Sequence, residues 1–114
     1  MKKEFKIIAQ IIKSNKRVLD VGCGDGTLMD YLKKNQQNDV RGLEPKKDLV
    51  QQCISKGLSV IEGDAENDLF QFPEKSFDYV VLSQTLQAFL YPDAVLNQLL
   101  RIGKQTIVSI PNFG

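Results

Sequence analysis

The chain has 114 residues, 42% of them hydrophobic and 25% charged, and this ordinary globular composition predicts a single domain over residues 1–114. A net charge of +1 gives no general attraction to nucleic acid or a membrane surface, and no apolar run approaches the ~20 residues of a membrane span. Within these residues the absence of histidine excludes a Ser-His-Asp site and a histidine-bound metal, and two isolated cysteines match neither a disulfide framework nor a zinc pattern.

The first half of the chain alternates helices with strands. In chain order, the apolar spacing predicts a helix over about 3–14, a strand at 17–21, a helix over about 27–34, a strand at 39–44 and a helix over about 45–56. The first helix does not resemble a signal peptide, because Gln10 and Lys13 interrupt its apolar residues and no small-residue cleavage site follows. We therefore expect a cytoplasmic protein.

The second half continues the same alternation after Gly57, a good C-terminal stop for the preceding helix. The pattern predicts a strand at 58–63, a turn-rich connection at 72–77, a strand at 77–83, a helix over about 93–102 and a strand at 105–110. The inner strands are continuous apolar runs, which is typical of parallel strands covered on both faces. The sequence thus predicts an α/β fold with a doubly wound parallel sheet.

The stretch VLDVGCGDG, residues 18–26, ends the first predicted strand in a glycine-rich loop, at the position where doubly wound sheets bind ligands. Gly22, Gly24 and Gly26 have the spacing G-x-G-x-G, whereas a dinucleotide site uses G-x-G-x-x-G. Asp25 would face a pyrophosphate, and like charges in a partly desolvated loop repel. The loop therefore favours S-adenosylmethionine, which carries a sulfonium and an ammonium, over a nicotinamide dinucleotide. A plain strand-to-helix turn without a ligand is the other interpretation.

Polar side chains at the ends of the next strands fit the same ligand. Glu44 lies 20 residues after Gly24 and could accept both ribose hydroxyls, or it could be a solvated strand-end charge. Asp64 could accept from the adenine amino group, or it could cap a helix. Ser83 and Gln84 follow the fourth strand and could line the methionine end of the ligand.

Four segments, VLDVGCGDG, GLEP, EGDAE and FDYVVLSQTLQ, resemble successive motifs of class I S-adenosylmethionine-dependent methyltransferases. More narrowly, LDVGCGDGTL, FDYVVLSQTLQA and VSIPNFG resemble the MetW family of methionine biosynthesis proteins, and the resemblance covers about 17–114. It implies a Rossmann-like sheet of order 3-2-1-4-5, a site for S-adenosyl-L-methionine or S-adenosyl-L-homocysteine, and an accessory role beside a homoserine O-acyltransferase. It implies no catalytic residue.

The residues predicted to bind the cofactor come from the glycine loop, from the strand ends and from the family resemblance. They are Asp20, Gly22, Cys23, Gly24, Asp25, Gly26, Glu44, Pro45, Asp64, Ala65, Ser83 and Gln84. Within this set Cys23 is expected to be a small packing residue and not a nucleophile, because no basic side chain close to it in the sequence would lower its pKa.

The resemblance also implies that the fold continues past the fifth strand, so we expect the C-terminal part of the fold to be absent from these residues. Strand five would then be a bare edge, and its apolar, β-branched sequence QTIVSI would invite pairing with another chain. Self-association through strand five is therefore predicted. Two functions stay open: an accessory protein of homoserine acylation, and a methyltransferase acting on an unidentified small molecule.

Overall fold

The computed structural model describes residues 1–83 and 88–109, which form a five-stranded parallel sheet between two layers of helices. The strands are β1 (Arg17–Val21), β2 (Asp39–Glu44), β3 (Ser59–Glu62), β4 (Phe77–Leu82) and β5 (Gly103–Val108). The helices are α1 (Lys3–Ile11), α2 (Thr27–Gln36), α3 (Lys47–Ser55) and α4 (Pro92–Ile102), with a short 3-10 helix at Leu69–Gln71. The order across the sheet is β3-β2-β1-β4-β5, which confirms the predicted class and strand order.

β1 lies at the centre of the sheet, between β2 and β4. Asp20, near its carboxyl end, is in register with Gly42 of β2 and Val81 of β4. Because all five strands are parallel, their carboxyl ends meet at one edge of the sheet, and the segments that follow the strands begin there. The sheet therefore brings those predicted site residues that the structure describes to its carboxyl end.

Each face of the sheet carries its own hydrophobic core, because successive side chains of a strand point to opposite faces. On β1, Val18 packs into the core beneath α1, α2 and α3, and Leu19 packs into the core beneath α4 and the 3-10 helix. Fully buried side chains of the two cores include Leu28, Met29 and Leu32 on the first face and Leu69, Leu99 and Ile102 on the second. Each buried leucine contributes roughly 2 kcal/mol of hydrophobic stabilisation.

α1 ends at Ile11, three residues before the predicted boundary. Ile12 is already extended, with ψ at 123°, and Asn15 has a left-handed backbone with φ at 61°. The amide Nε2 of Gln36 donates to the carbonyl oxygen of Ile12 at 2.7 Å, so a side chain from α2 satisfies a carbonyl that the end of α1 leaves free. The helix stops early because of this long-range contact, which a local periodicity does not reveal.

α3 begins at Lys47 and not at Pro45, because the N–H of Lys46 donates to the carboxylate of Glu44 at 2.9 Å and Lys46 stays extended. The stop after α3 is as predicted: Gly57 has φ at 77°, a left-handed conformation that glycine adopts without strain. The predicted bounds of α2, β3, β4 and α4 agree with the structure to within two residues.

β5 begins at Gly103, two residues earlier than predicted. A Cβ on Gly103 would lie 2.7 Å from Cγ2 of Val80, so glycine allows the first residue of β5 to approach β4 closely. Ile110, the last residue of the predicted strand, lies outside the described residues. β5 forms one edge of the sheet among the residues that the structure describes, and self-association through it stays a prediction. Across 1–83 and 88–109, no helix has the length and apolarity needed to cross a membrane.

Candidate functional site

The glycine loop between β1 and α2 uses two of its glycines in different ways. Gly26 has φ at 86°, and a Cβ there would lie 2.5 Å from Cδ1 of Leu58 and 3.1 Å from Sγ of Cys53. Gly24 has φ at 60°, but a Cβ there would meet nothing within 4 Å. Gly26 is therefore required for packing against α3 and the residue before β3, whereas Gly24 leaves open space above the loop.

Glu44 fixes the middle of this loop from the end of β2. Its Oε1 accepts the N–H of Gly24 at 2.9 Å, its Oε2 accepts the N–H of Lys46 at 2.9 Å, and the residue is only 2% exposed. The alternative of a solvated strand-end charge is therefore wrong. Each carboxylate oxygen keeps a second lone pair, so two hydroxyl donors of a ligand can still bind here.

Asp20 is a second buried carboxylate at the same edge of the sheet. It is 1% exposed, and its Oδ1 is buried without a hydrogen-bond partner among the described residues. Burial, and to a lesser degree the charge of Glu44, raise the pKa of its carboxyl to about 7. Two buried carboxylates thus share this site, and neither forms an ion pair with a described lysine or arginine.

Asp25 behaves differently, because its charge already has partners in the protein. Its Oδ1 accepts the N–H of Thr27 at 3.0 Å and the hydroxyl of Thr27 at 2.6 Å, and its Oδ2 lies 4.0 Å from Nζ of Lys56. The hydrogen bond from the Thr27 side chain is the main reason that the pKa of Asp25 is lowered, and Lys56 adds to it. The charge argument for a cationic ligand therefore rests on Asp20 and Glu44 more than on Asp25.

The two thiols of the chain meet beneath the loop. Sγ of Cys23 lies 3.9 Å from Sγ of Cys53, whose thiol donates to the carbonyl oxygen of Gly24 at 3.2 Å. Burial raises the pKa of both thiols, and the charges of Asp20 and Glu44 raise that of Cys23 further. A thiol with a raised pKa is a poor nucleophile, which supports the predicted packing role of Cys23.

A cleft of about 550 Å³ opens over the glycine loop. Its predicted lining residues are Gly22, Cys23, Gly24, Asp25 and Ser83, and the lining that the sequence did not predict is Met1, Lys2, Glu4, Phe5, Thr27, Leu49 and Gln52. Oγ of Ser83 is buried and has no hydrogen-bond partner among the described residues. The amphipathic pattern of α1 predicted only that this helix packs on the core, so nothing in the sequence places its first turn over the loop.

Asp20, Gly26 and Glu44 are not among the lining residues of this cleft, and the other predicted residues lie outside it or outside the described chain. Both oxygens of Asp64 accept from Asn67, and Oδ1 also accepts the N–H of Glu66 at 2.9 Å, so this residue caps a turn after β3. Asp64 also lines a separate cavity of about 460 Å³. Ala65 is buried in the core beneath α4, and Pro45 is exposed after β2. Gln84 lies outside the described residues.

The structure therefore assembles a cleft over a glycine loop, with Lys2, Glu4 and Asp25 among its lining residues and the buried carboxylate of Glu44 bound to the backbone of that loop. Among the described residues, Oδ1 of Asp20 and Oγ of Ser83 have no hydrogen-bond partner. Across the part of the chain that the structure describes, no three or more Cys, Asp or Glu side chains are arranged to hold a metal ion. The groups that can act on a ligand are carboxylates, a hydroxyl and backbone N–H groups.

Glu44→Gln is expected to weaken the binding of S-adenosylmethionine by about 1.5–3 kcal/mol, roughly 10- to 100-fold in Kd. The amide would place an N–H₂ group against one of the two backbone N–H groups and would weaken the predicted charge-assisted contact with the ribose. Glu62→Gln is the matched control, because Glu62 is the exposed register partner of Glu44 on β3. Calorimetry on both variants checks the prediction, and an unchanged Kd for Glu44→Gln would contradict it.

Comparison with known proteins identifies related chains. The model of the family described as "Methionine biosynthesis protein MetW" matches residues 2–114. The bifunctional methionine biosynthesis protein MetXA/MetW of Rhodopirellula baltica is 33% identical in an alignment of 114 positions that covers 93% of this chain and 18% of that protein. A fatty-acid O-methyltransferase of Mycolicibacterium smegmatis is 34% identical in an alignment of 101 positions that covers 82% of this chain and 35% of that protein.

Among solved structures, a SAM-dependent methyltransferase from Thermotoga maritima superposes with a TM-score of 0.73 at 25% identity. The match covers 94% of this chain and 49% of that one. The chain thus spans less than half the length of these relatives. Its fold is the Rossmann-like fold of SAM-dependent methyltransferases.

Proposed function

Because the chain belongs to the MetW family of methionine biosynthesis proteins, we propose that it binds S-adenosylmethionine in the glycine-loop cleft and assists a homoserine O-acyltransferase. The observation that carries the proposed cofactor site is a pair of buried atoms at adjacent strand ends, Oδ1 of Asp20 and Oγ of Ser83, for which the described part of the chain offers no hydrogen-bond partner. Buried polar groups without partners cost free energy, and a bound polar ligand is one way to satisfy them.

The chemistry of S-adenosylmethionine fits the groups around the cleft. Its sulfonium and ammonium complement the buried carboxylates of Asp20 and Glu44, which no described lysine or arginine neutralises. Glu44 would hold the ribose hydroxyls with its free lone pairs, and the open space at Gly24 would let the ligand approach the backbone. Asp64, which lines the separate cavity of about 460 Å³, would accept from the adenine amino group. When bound, the cofactor would supply an activated methyl group or a regulatory signal.

The same acids disfavour a dinucleotide. A pyrophosphate over this loop would face Asp25, which lines the cleft, and would approach Glu44, whose carboxylate already accepts the N–H of Gly24, so like charges would repel. We therefore expect no measurable affinity for nicotinamide dinucleotides.

The accessory role is supported by the relative from Rhodopirellula baltica, whose name joins MetXA and MetW in one bifunctional protein. Two activities that occur in one chain are candidates for a physical partnership when they occur in separate chains. We propose that this chain contacts a homoserine O-acyltransferase and that cofactor occupancy modulates acylation. Such a link would let a downstream product of methionine synthesis act on an early step.

A methyltransferase activity on an unidentified small molecule is the second candidate. The relative from Mycolicibacterium smegmatis is named a fatty-acid O-methyltransferase, and it matches 82% of this chain. Histidine is absent from the chain, but methyl transfer depends chiefly on positioning the donor against the acceptor, so the absence does not argue against this activity.

One experiment tests the shared premise and separates the two candidates. We expect calorimetry to show one S-adenosylmethionine or S-adenosylhomocysteine bound per chain, with NADH as the negative control. Homoserine acylation by the partner enzyme is then measured with and without this protein, and we expect the rate to change with both protein and cofactor present. A lack of cofactor binding would overturn the whole proposal. Unchanged acylation together with methyl transfer to a metabolite would favour the methyltransferase.

A further inference from the structure

Two acids, Asp20 and Glu44, are buried next to residues that line the glycine-loop cleft: Asp20 lies two residues before Gly22, and Glu44 accepts the N–H of Gly24. Asp20 and Glu44 are 1% and 2% exposed. Glu44 has two backbone N–H donors, on Gly24 and Lys46, whereas Oδ1 of Asp20 has no partner among the described residues. Burying two carboxylates together without a cation is costly unless one of them carries a proton. Because Glu44 is the one that receives donated hydrogen bonds, Asp20 is the one that holds the proton when no ligand is bound.

The other groups around Asp20 do not offer it a positive charge. On β2 and β4 its register neighbours are Gly42 and Val81, which do not titrate. The loop and α3 contribute the thiols of Cys23 and Cys53, both with a raised pKa.

The charged groups that line the cleft itself are Lys2, Glu4 and Asp25, together with Met1 at the chain start. Lys2 lies with its Nζ 5.6 Å from the ring centre of Phe5, and Asp25 is paired with Lys56. None of these groups forms a described ion pair with Asp20.

We infer that a ligand bearing an ammonium or sulfonium displaces a proton from Asp20 when it binds in this cleft, and that a neutral nucleoside does not. The O–H bond of the carboxyl breaks, the proton leaves to solvent, and the carboxylate that remains balances the charge of the ligand. The pKa of Asp20, raised to about 7 in the protein alone, places this exchange in the physiological range. The inference rests on the proposed cofactor site and adds to it a coupling between occupancy and pH.

The coupling has a measurable size. Below pH 7 the α-amino group of the ligand stays protonated, so only the protein site titrates between pH 7 and pH 5.5. For one linked group with a pKa of about 7, the Kd of S-adenosylhomocysteine or S-adenosylmethionine is expected to rise about tenfold over that range. Near pH 6 binding is expected to release close to one proton per ligand.

The test is calorimetry on the wild-type protein at pH 5.5, 6 and 7, in pairs of buffers that differ in ionisation enthalpy. The probes are S-adenosylmethionine, S-adenosylhomocysteine and 5′-methylthioadenosine, which keeps the nucleoside and thioether but lacks the ammonium and the sulfonium. We expect proton release and a pH-dependent Kd for the first two probes, and a Kd that changes less than about twofold for the third.

Two variants sharpen the assignment. Asp20→Asn is expected to remove both the proton release and the pH dependence. Asp25→Asn is the matched control in the same loop, and it is expected to keep the pH dependence whatever it does to the Kd itself, because Asp25 is bound by Thr27 and Lys56. Should Asp20→Asn fail to fold, the comparison of the three probes on the wild type still tests whether the proton release is linked to the charge of the ligand.

The outcomes are distinct. Cationic ligands that bind with a pH-independent Kd overturn the inference and leave the proposed function standing. The same pH dependence for 5′-methylthioadenosine also overturns it, because the proton would then not be linked to the ligand's charge. A failure of all three probes to bind at every pH overturns the proposed function and the inference together.

Discussion

Gly24→Leu is expected to weaken S-adenosylmethionine binding by about 100-fold or more while the fold survives. The backbone of Gly24 is left-handed with φ at 60°, so a side chain there costs about 1–2 kcal/mol of strain. A Cβ at this position meets no protein atom within 4 Å, so the leucine would extend into the cleft that the cofactor is proposed to fill. The expected result is a large loss of affinity with a small loss of stability.

Gly57→Leu is the matched control for this change. Gly57 also has a left-handed backbone, with φ at 77°, and a Cβ there also meets nothing within 4 Å, but the residue follows α3 away from the cleft. Urea denaturation should give similar stability losses for the two variants, and calorimetry should show that only Gly24→Leu loses the ligand. Equal affinities in the two variants would show that the space over Gly24 is not the ligand site.

Asp20→Asn is expected to remove a fall in the stability of the folded protein that occurs as pH rises. The pKa of Asp20 is about 7 in the folded protein against 3.8 when unperturbed, so the folded state holds this proton more tightly than the unfolded chain does. The stability that Asp20 contributes is therefore fully present below about pH 4 and is lost as pH rises through 7. A shift of this size corresponds to about 4 kcal/mol.

The measurement is the free energy of unfolding of both proteins from urea denaturation at pH 4, 6 and 8. We expect the free energy of unfolding of the wild type, relative to that of Asp20→Asn, to fall by about 4 kcal/mol from pH 4 to pH 8. Any pH-independent effect of the amide on stability does not alter this difference. Asp25→Asn is the control: the lowered pKa of Asp25 gives stability that is present above its unperturbed pKa of 3.8 and lost only as pH falls through its folded pKa, so its difference from the wild type should stay nearly constant between pH 4 and 8. A constant difference between wild type and Asp20→Asn across this range would contradict the assignment of a buried, protonated Asp20.

The alternation of helices and strands could be predicted because it depends on local apolar patterns, and the strand order followed from the family resemblance. The errors fall where a distant residue decides the local structure. α1 stops at Ile11 because Gln36 caps its end, and β5 starts at Gly103 because only glycine fits against Val80. The short 3-10 helix at Leu69–Gln71 has too few residues for a periodicity to reveal it.

The candidate site, too, could be predicted only where local sequence determines it. The sequence placed Glu44 correctly at the end of β2, but only the structure shows that its carboxylate is buried and bound to the loop backbone and not solvated. The charge of Asp25 looked free in the sequence, yet Thr27 two residues later and Lys56 on the far side of the loop both bind it. Asp64 caps a turn and not a helix, because no helix begins at the described residues directly after it, and its contact with adenine stays a prediction.

The wall that the first turn of α1 contributes to the cleft has a practical consequence for protein engineering. Met1, Lys2, Glu4 and Phe5 line the space over the glycine loop. An affinity tag or reporter joined ahead of Met1 would therefore be attached beside the cleft. Linker residues that remain there would compete with small molecules for the space. A fluorophore attached at that position would, for the same reason, sense occupancy of the cleft directly.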